Sequence, residues 1–291
     1  MAIVTGFAIV GRDRIAAETD GPPGALYLAR VLAALGVETA LITDRIALPL
    51  LQTGCKFAGL HATKLLEFPM SGDPAAAQAW IDDYLASRDG RSLTHLISIE
   101  RVGPSHTLES LAAQQRAGAA PLLEFEREVP PEHRDRCHNM RGIVIDEFTA
   151  PIHRLFEAVA ARRSVVKTIG VADGGNEIGM GAVAWEVARR AIARGPAAEV
   201  ACRIACDHLI LAGVSNFGAY ALAGAIAVLR GRPDLVSAWA ADSERQLIES
   251  LVAAGAVDGV TGTSQPTVDG LPLDEYLATF DAIREEVVGR S

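Results

Sequence analysis

The sequence predicts an α/β fold: a doubly wound, mostly parallel sheet with helices on both faces. Three observations predict it. Short aliphatic runs alternate with longer amphipathic stretches along the chain, the pattern of repeated strand–helix units. The 291 residues are 49% hydrophobic but only 5% aromatic, so the apolar content is mainly Ala, Leu, Val and Ile. Strands buried between Ala-rich helices have this composition. Prolines and glycines also fall at the ends of the helical stretches, where a missing N–H or a left-handed residue is tolerated.

Taken in order, strands are expected at 2–10, 37–43, 94–99, 165–171 and 208–212. Helices are expected at 23–35, 74–87, 151–163, 178–193, 216–229 and 242–253. Pro23, Pro74 and Pro151 stand in first helical turns, and Gly36 and Gly255 follow helical runs as C-terminal caps. Residues 102–139 break the rhythm, with Pro104, Pro121, Pro130 and Pro131 among many charges. They predict an irregular excursion or an active-site flap. Near the end, Val257-Asp258-Gly259 and Val268-Asp269-Gly270 repeat a turn signal, so the stretch between them is expected to be loop. The whole of 1–291 reads as a single Rossmann-like domain, long enough to bury a large core.

Composition narrows the partners. A formal net charge of -9 argues against nucleic acid and against an anionic membrane surface, both of which need a basic face. It leaves room for a small-molecule substrate held by one or two arginines, and for a homo-oligomer. No apolar run reaches the roughly 20 residues that span a bilayer. The start, MAIVTGFAIVGRDR, has no basic residue ahead of its apolar stretch and reads as a first strand, not a signal peptide. Cys55, Cys137, Cys202 and Cys206 form no disulfide framework. A reducing compartment is expected, cytoplasmic or, in a eukaryote, the mitochondrial matrix.

In an open α/β sheet, ligands bind beyond the carboxyl ends of the strands. The richest such segment is Asp173-Gly174-Gly175-Asn176-Glu177, after the strand at 165–171 and at the start of the expected helix. Gly174 and Gly175 can aim N–H groups at an anion. Asp173 and Glu177 can hold a hard cation through oxygen or divide acid and base roles. The alternative is a capped turn. The segment is neither G-x-G-x-x-G nor a P-loop, so no nucleotide site follows. Glu18 and Asp20 share a proline-stiffened loop before the first helix, where Asp20 is either a ligand or a helix cap. Glu100 ends the strand at 94–99, and Arg101 beside it can clamp a carboxylate in bidentate fashion. Arg141 can do the same, or each arginine makes only a surface ion pair. Ser215 and Asn216 begin a helix after the last strand, as substrate donors or as caps. A zinc site from Cys202, Cys206 and His208 lacks a matching second pair and is disfavoured. The five carboxylates are expected to converge at one edge of the sheet. Catalytic work is assigned to Glu18, Asp173, Asn176 and Glu177, and metal ligation to Asp20, Asp173 and Glu177. Substrate binding falls to Arg101, Arg141, Gly174, Gly175, Ser215 and Asn216.

These loops together resemble the D-glutamate cyclase family, specifically the C-terminal domain found there, here expected in a stand-alone form. The resemblance rests on ETDGPPGA (18–25), NMRG (139–142), TIGVADGGNEIGMG (168–181), DHLILAGVSNFGAYAL (207–222), and AVDGVTG with PTVDGLPL (256–262 and 266–273). It implies a lyase that converts D-glutamate to 5-oxo-D-proline with loss of water, aided by Mn2+ or Mg2+. Two other readings stay open. One is a metal-dependent hydrolase or isomerase of another small carboxylate or lactam; the other is a non-catalytic module that binds an amino acid or metabolite.

Overall fold

The aliphatic runs assemble into a six-stranded parallel sheet in a computed structural model that describes residues 1–11, 14–70, 72–162, 165–192 and 195–289. Its strands are β1 (Ala2–Thr5), β4 (Ala40–Thr43), β5 (Lys64–Glu67), β6 (His95–Ile99), β7 (Lys167–Ala172) and β8 (His208–Leu211), in the order β5-β4-β1-β6-β7-β8. Counted along the chain this is third, second, first, fourth, fifth, sixth, the doubly wound order. The direction of winding reverses between β1 and β6, so the crevice beyond their carboxyl ends is the place for a ligand.

Seven longer helices cover the sheet: α1 (Pro22–Ala34), α2 (Leu48–Phe57), α3 (Pro74–Ala86), α4 (His153–Ala161), α5 (Ser215–Leu229), α6 (Ala241–Ala253) and α7 (Leu273–Val288). Alternation along the strands feeds two cores. Ile3 and Ile97 join the core under α1, α2, α5, α6 and α7, whereas Ala2, Val4 and Leu96 join the one under α3 and α4. Gly36 and Gly255 take left-handed φ after α1 and α6, as the sequence predicts. Among the described residues no helix is long and apolar enough to cross a membrane.

The structure departs from the expected elements in four places. The run at 2–10 is two strands: the chain turns at Gly6, and β2 (Ala8–Val10) folds back in an antiparallel hairpin with β3 (Ile15–Ala17). A continuous apolar run has no period that marks such a break. Edge strand β5 reads KLLE, with charged ends that hide it from a hydrophobic count. Helices α2 and α7 are additional to the expected set. The expected helix at 178–193 is helical at Trp185–Ala191, and its last residue, Ala193, lies outside the described residues, as does Arg163 at the end of the expected 151–163 helix. Gly179 stops the helix from starting earlier. Its φ is 114°, and a Cβ there would lie 2.8 Å from the Cα of Gly170. The segment instead bridges to Ala205. The irregular excursion at 102–139 is present, with short helices Leu108–Ala113 and Leu122–Glu128 over a small core of Leu111, Phe125 and Trp185.

Helix α6 brings a carboxylate into the larger core. Glu244 is fully buried, accepting hydrogen bonds from Tyr220 Oη (2.5 Å) and Trp239 Nε1 (2.8 Å). Burial lifts its pKa from 4.5 to about 7, while those two bonds and Arg30 pull it back. A folded-state value above the unfolded one means that the stabilisation is complete below the unfolded value and is lost as pH rises through the folded one. Wild type should therefore lose about 3 kcal/mol relative to Glu244→Gln between pH 4 and pH 8. Urea denaturation of both proteins at several pH values checks this; a constant difference between them would refute it.

Candidate active site

Four connections meet beyond the carboxyl ends of β1, β6, β7 and β8. The first links β3 to α1 and carries Glu18 and Asp20. The second follows β6 and carries Glu100. The third follows β7 and carries residues 173–177. The fourth enters α5 at Ser215 and Asn216. The expected convergence is what the structure shows, because the carboxylates acting on Glu18 are Asp269, Asp20, Asp173 and Glu177. Those acting on Glu100 are Glu177, Glu18, Asp20 and Asp269. Asp269, from the loop between α6 and α7, is a sixth member. The sequence marked it only as part of a turn.

Two helices lock this geometry by capping one another. The Asp20 carboxylate accepts the N–H groups of Ser215 (2.8 Å) and Asn216 (2.8 Å) at the start of α5. Asn216 Oδ1 in turn accepts the N–H groups of Gly21 (3.0 Å) and Gly24 (2.8 Å) at the start of α1. Each pairing satisfies donors that a helix start leaves open. Gly24 permits the approach, since a Cβ there would lie 2.8 Å from that of Ala219. Asn216 thus serves as a cap. Asp20 caps α5 and also faces the site.

Ser215 ties the carboxylates together. Its N–H reaches Asp173 Oδ2 at 3.2 Å as well as Asp20, and its hydroxyl donates to Glu100 Oε2 at 2.7 Å. Glu100 (φ 45°) and Asp269 (φ 53°) both hold left-handed backbone without being glycine, a strained conformation that tends to collect at functional positions.

The 173–177 turn differs from its expected form. The Gly174 and Gly175 N–H groups do point at an anion, but the anion is the chain's own Glu177, at 2.8 and 2.7 Å. No helix starts at Glu177, so the N–H groups at a helix start that face the acidic cluster are those of α5. Asn176 donates to the carbonyl of His138 at 2.7 Å and so anchors the turn to the excursion, while its Oδ1 is buried without a partner.

Arg101 is a correction. It is 1% exposed, and its Nη1 meets Asp44 Oδ2 at 2.6 Å and the Gly6 carbonyl at 2.7 Å. Its Nη2 donates to the Ala150 carbonyl at 2.8 Å. That fork is committed to the protein interior and is not presented to a substrate. Arg141 is exposed and its Nη2 reaches the carbonyl of Val260 at 3.3 Å. The neighbouring Gly259 lies against Glu18 Oε2, which puts Arg141 at the rim of the acidic cluster. Cys202 is buried and accepts the Ile204 N–H at 3.3 Å, while His208 is exposed on β8. Neither joins the carboxylate groups that could hold a metal.

Electrostatics follow from crowding and burial. Burial first, then neighbouring carboxylates, holds Glu18, Glu100 and Asp173 well above the usual carboxylate range. Asp20 rises to about 7, by burial and Asp269, with the α5 N–H groups opposing. Glu177 is raised by burial, against the pull of its backbone N–H partners. Such a cluster holds protons or binds a cation. Two sets of oxygens, from Asp20, Asp173 and Asp269 and from Glu100, Asp173 and Glu177, each lie within 4.8 Å of one another. Glu18 is 4% exposed, and among the described residues its Oε1 has no hydrogen-bond partner. An all-oxygen donor set with an orphaned buried oxygen fits a hard divalent cation such as Mn2+ or Mg2+.

Comparison with known proteins identifies the family. The family model described as "D-glutamate cyclase-like, C-terminal" matches residues 1–117 and 112–284. D-glutamate cyclase, mitochondrial, from Homo sapiens is 32% identical over 299 residues, covering 93% of this chain and 43% of that protein. The chain therefore spans less than half the length of that relative. The matched residues include all the acidic connections, and the chain belongs to the D-glutamate cyclase-like, C-terminal family.

Proposed function

We propose that this chain is a D-glutamate cyclase-like lyase, joining the α-amine of D-glutamate to its γ-carboxyl to give 5-oxo-D-proline and water. The observation that carries the proposal is the convergence of Glu18, Asp20, Glu100, Asp173, Glu177 and Asp269 at the switch point of the sheet, in a chain of this family. The nucleophile is tethered to its target, so the substrate itself supplies much of the proximity. The protein must fold the substrate, remove two protons from the α-ammonium and deliver both to the γ-carboxylate oxygen that departs as water.

Buried carboxyl groups suit proton transfer, because burial and neighbouring carboxylates raise their affinity for a proton. Glu18 Oε1 has no partner among the described residues, and the ionised form of this carboxyl, whose proton affinity burial raises, takes the ammonium protons. Asp173, which burial and its neighbours hold protonated in the metal-free site, would ligate a bound cation as a carboxylate, so the protons that reach the departing oxygen are those taken up by Glu18. Glu177 and Asn176 fix the turn that carries Asp173. Arg141 at the rim takes the α-carboxylate. Asp20, Asp173 and Glu177, joined by Glu100 and Asp269, would hold Mn2+ or Mg2+. Such a cation, when bound, supplies charge compensation and polarises the γ-carboxylate.

Purified chain should convert D-glutamate to 5-oxo-D-proline in excess of L-glutamate, read by chiral chromatography, and chelation of divalent cations should suppress the conversion. Absence of product from D-glutamate with Mn2+ or Mg2+ supplied would reject the assignment. Ligand-dependent thermal stabilisation without product would favour a binding module instead.

A further inference from the structure

We propose that the acidic site holds two divalent cations with Asp173 as the bridging carboxylate. The donor oxygens fall into two compact groups, Asp20–Asp173–Asp269 and Glu100–Asp173–Glu177, and Asp173 belongs to both. The groups come from different parts of the chain. Asp20 and Asp269 reach in from the loops before α1 and before α7, whereas Glu100 and Glu177 follow β6 and β7.

Hydrogen bonding leaves room for ligation on both sides. Asp20 Oδ2 accepts the Ser215 N–H, and each Glu177 oxygen accepts one N–H from Gly174 or Gly175. Glu100 Oε2 accepts the Ser215 hydroxyl. A carboxylate oxygen carries two lone pairs, so each of these keeps one for a cation. Ser215 bonds to a member of each group and to Asp173 itself, as an outer-shell residue that orients ligands does. The independent sign of a ligand is Glu18. It is 4% exposed and faces Asp269, Asp20, Asp173 and Glu177, yet among the described residues its Oε1 has no partner. Charge points the same way: one divalent ion offsets two of six carboxylates, whereas two offset four.

This inference rests on the reading of the site as a divalent-cation centre. The test uses metal-free full chain equilibrated with Mn2+ alone, with bound metal measured by elemental analysis and the Mn2+ signal by electron paramagnetic resonance. Two Mn2+ per chain with an exchange-coupled spectrum is the expected result. Glu100→Gln and Asp269→Asn should each lower the count from two to one and abolish the coupling. One Mn2+ per wild-type chain, or two without coupling, would overturn the paired site while leaving a single-cation centre intact. No bound Mn2+ would remove both. Retention of two coupled ions in Glu100→Gln and in Asp269→Asn would overturn the ligand assignment. The wild-type count decides the matter even if a variant folds poorly.

Discussion

Asp173→Asn is expected to lower turnover of D-glutamate at least ~100-fold, the scale of one acid–base group, while the metal-free protein stays as stable or gains stability. Asp173 belongs to both oxygen groups, and its environment opposes its charge through burial and the carboxylates Glu100, Asp20 and Glu177. Asn keeps the size and removes that charge, so like-charge repulsion is relieved; stability and function part company at such strained sites. Glu177→Gln should behave differently. Each Glu177 oxygen accepts one N–H, from half-buried Gly174 or buried Gly175, and an amide offers a single oxygen. One N–H loses its partner, at about 1–3 kcal/mol, so this variant should lose turnover and stability together. Steady-state kinetics and calorimetry on both variants separate the cases. Full turnover with a lowered melting temperature in Asp173→Asn would reduce the turn to a structural element.

Those two residues illustrate what the sequence can and cannot carry. Five of the six sheet strands and most of the long helices were legible because burial on both sheet faces demands aliphatic runs, and because Pro and Gly punctuate the ends; β5, the β2–β3 hairpin, α2 and α7 were not. The acidic connections were legible because a doubly wound sheet puts every strand's carboxyl end on one side. The role of each side chain within them was not. Whether the Gly174 and Gly175 N–H groups await a ligand or hold Glu177 depends on one side-chain rotamer. The part played by Asp269 depends on the loop before α7 folding back over the site, and a Val-Asp-Gly turn signal says nothing about where the turn lies. The missing helix start at Ile178 has a tertiary cause, the contact of Gly179 with Gly170. Residues distant in sequence decide each of these outcomes.

Arg101 is the sharpest case, and its loss should destabilise the fold more than either Asp173→Asn or Glu177→Gln. Arg101→Met is expected to cost about 3–5 kcal/mol, the range for removing one partner of a buried ion pair. Three partners would be stranded. Asp44 would keep a buried carboxylate with the N–H groups of Ile46 (3.0 Å) and Ala150 (3.3 Å) but no cation. The carbonyls of Gly6 and Ala150 would lose their donor. Those carbonyls lie just after β1 and just before α4, so the arginine ties the switch point of the sheet to the approach to α4. Lys in its place keeps the charge but loses the planar fork. It can serve one carbonyl or the carboxylate well, not all three, so Arg101→Lys should lose part of the stability. In the folded fraction its KM should stay near wild type, because the side chain faces the interior. An unchanged denaturation midpoint with a raised KM would restore Arg101 as a substrate anchor. Asp44→Leu combined with Arg101→Met removes both charges, and should recover part of the loss. A double variant no more stable than Arg101→Met would show that the two orphaned carbonyls, not the lone carboxylate, carry the cost.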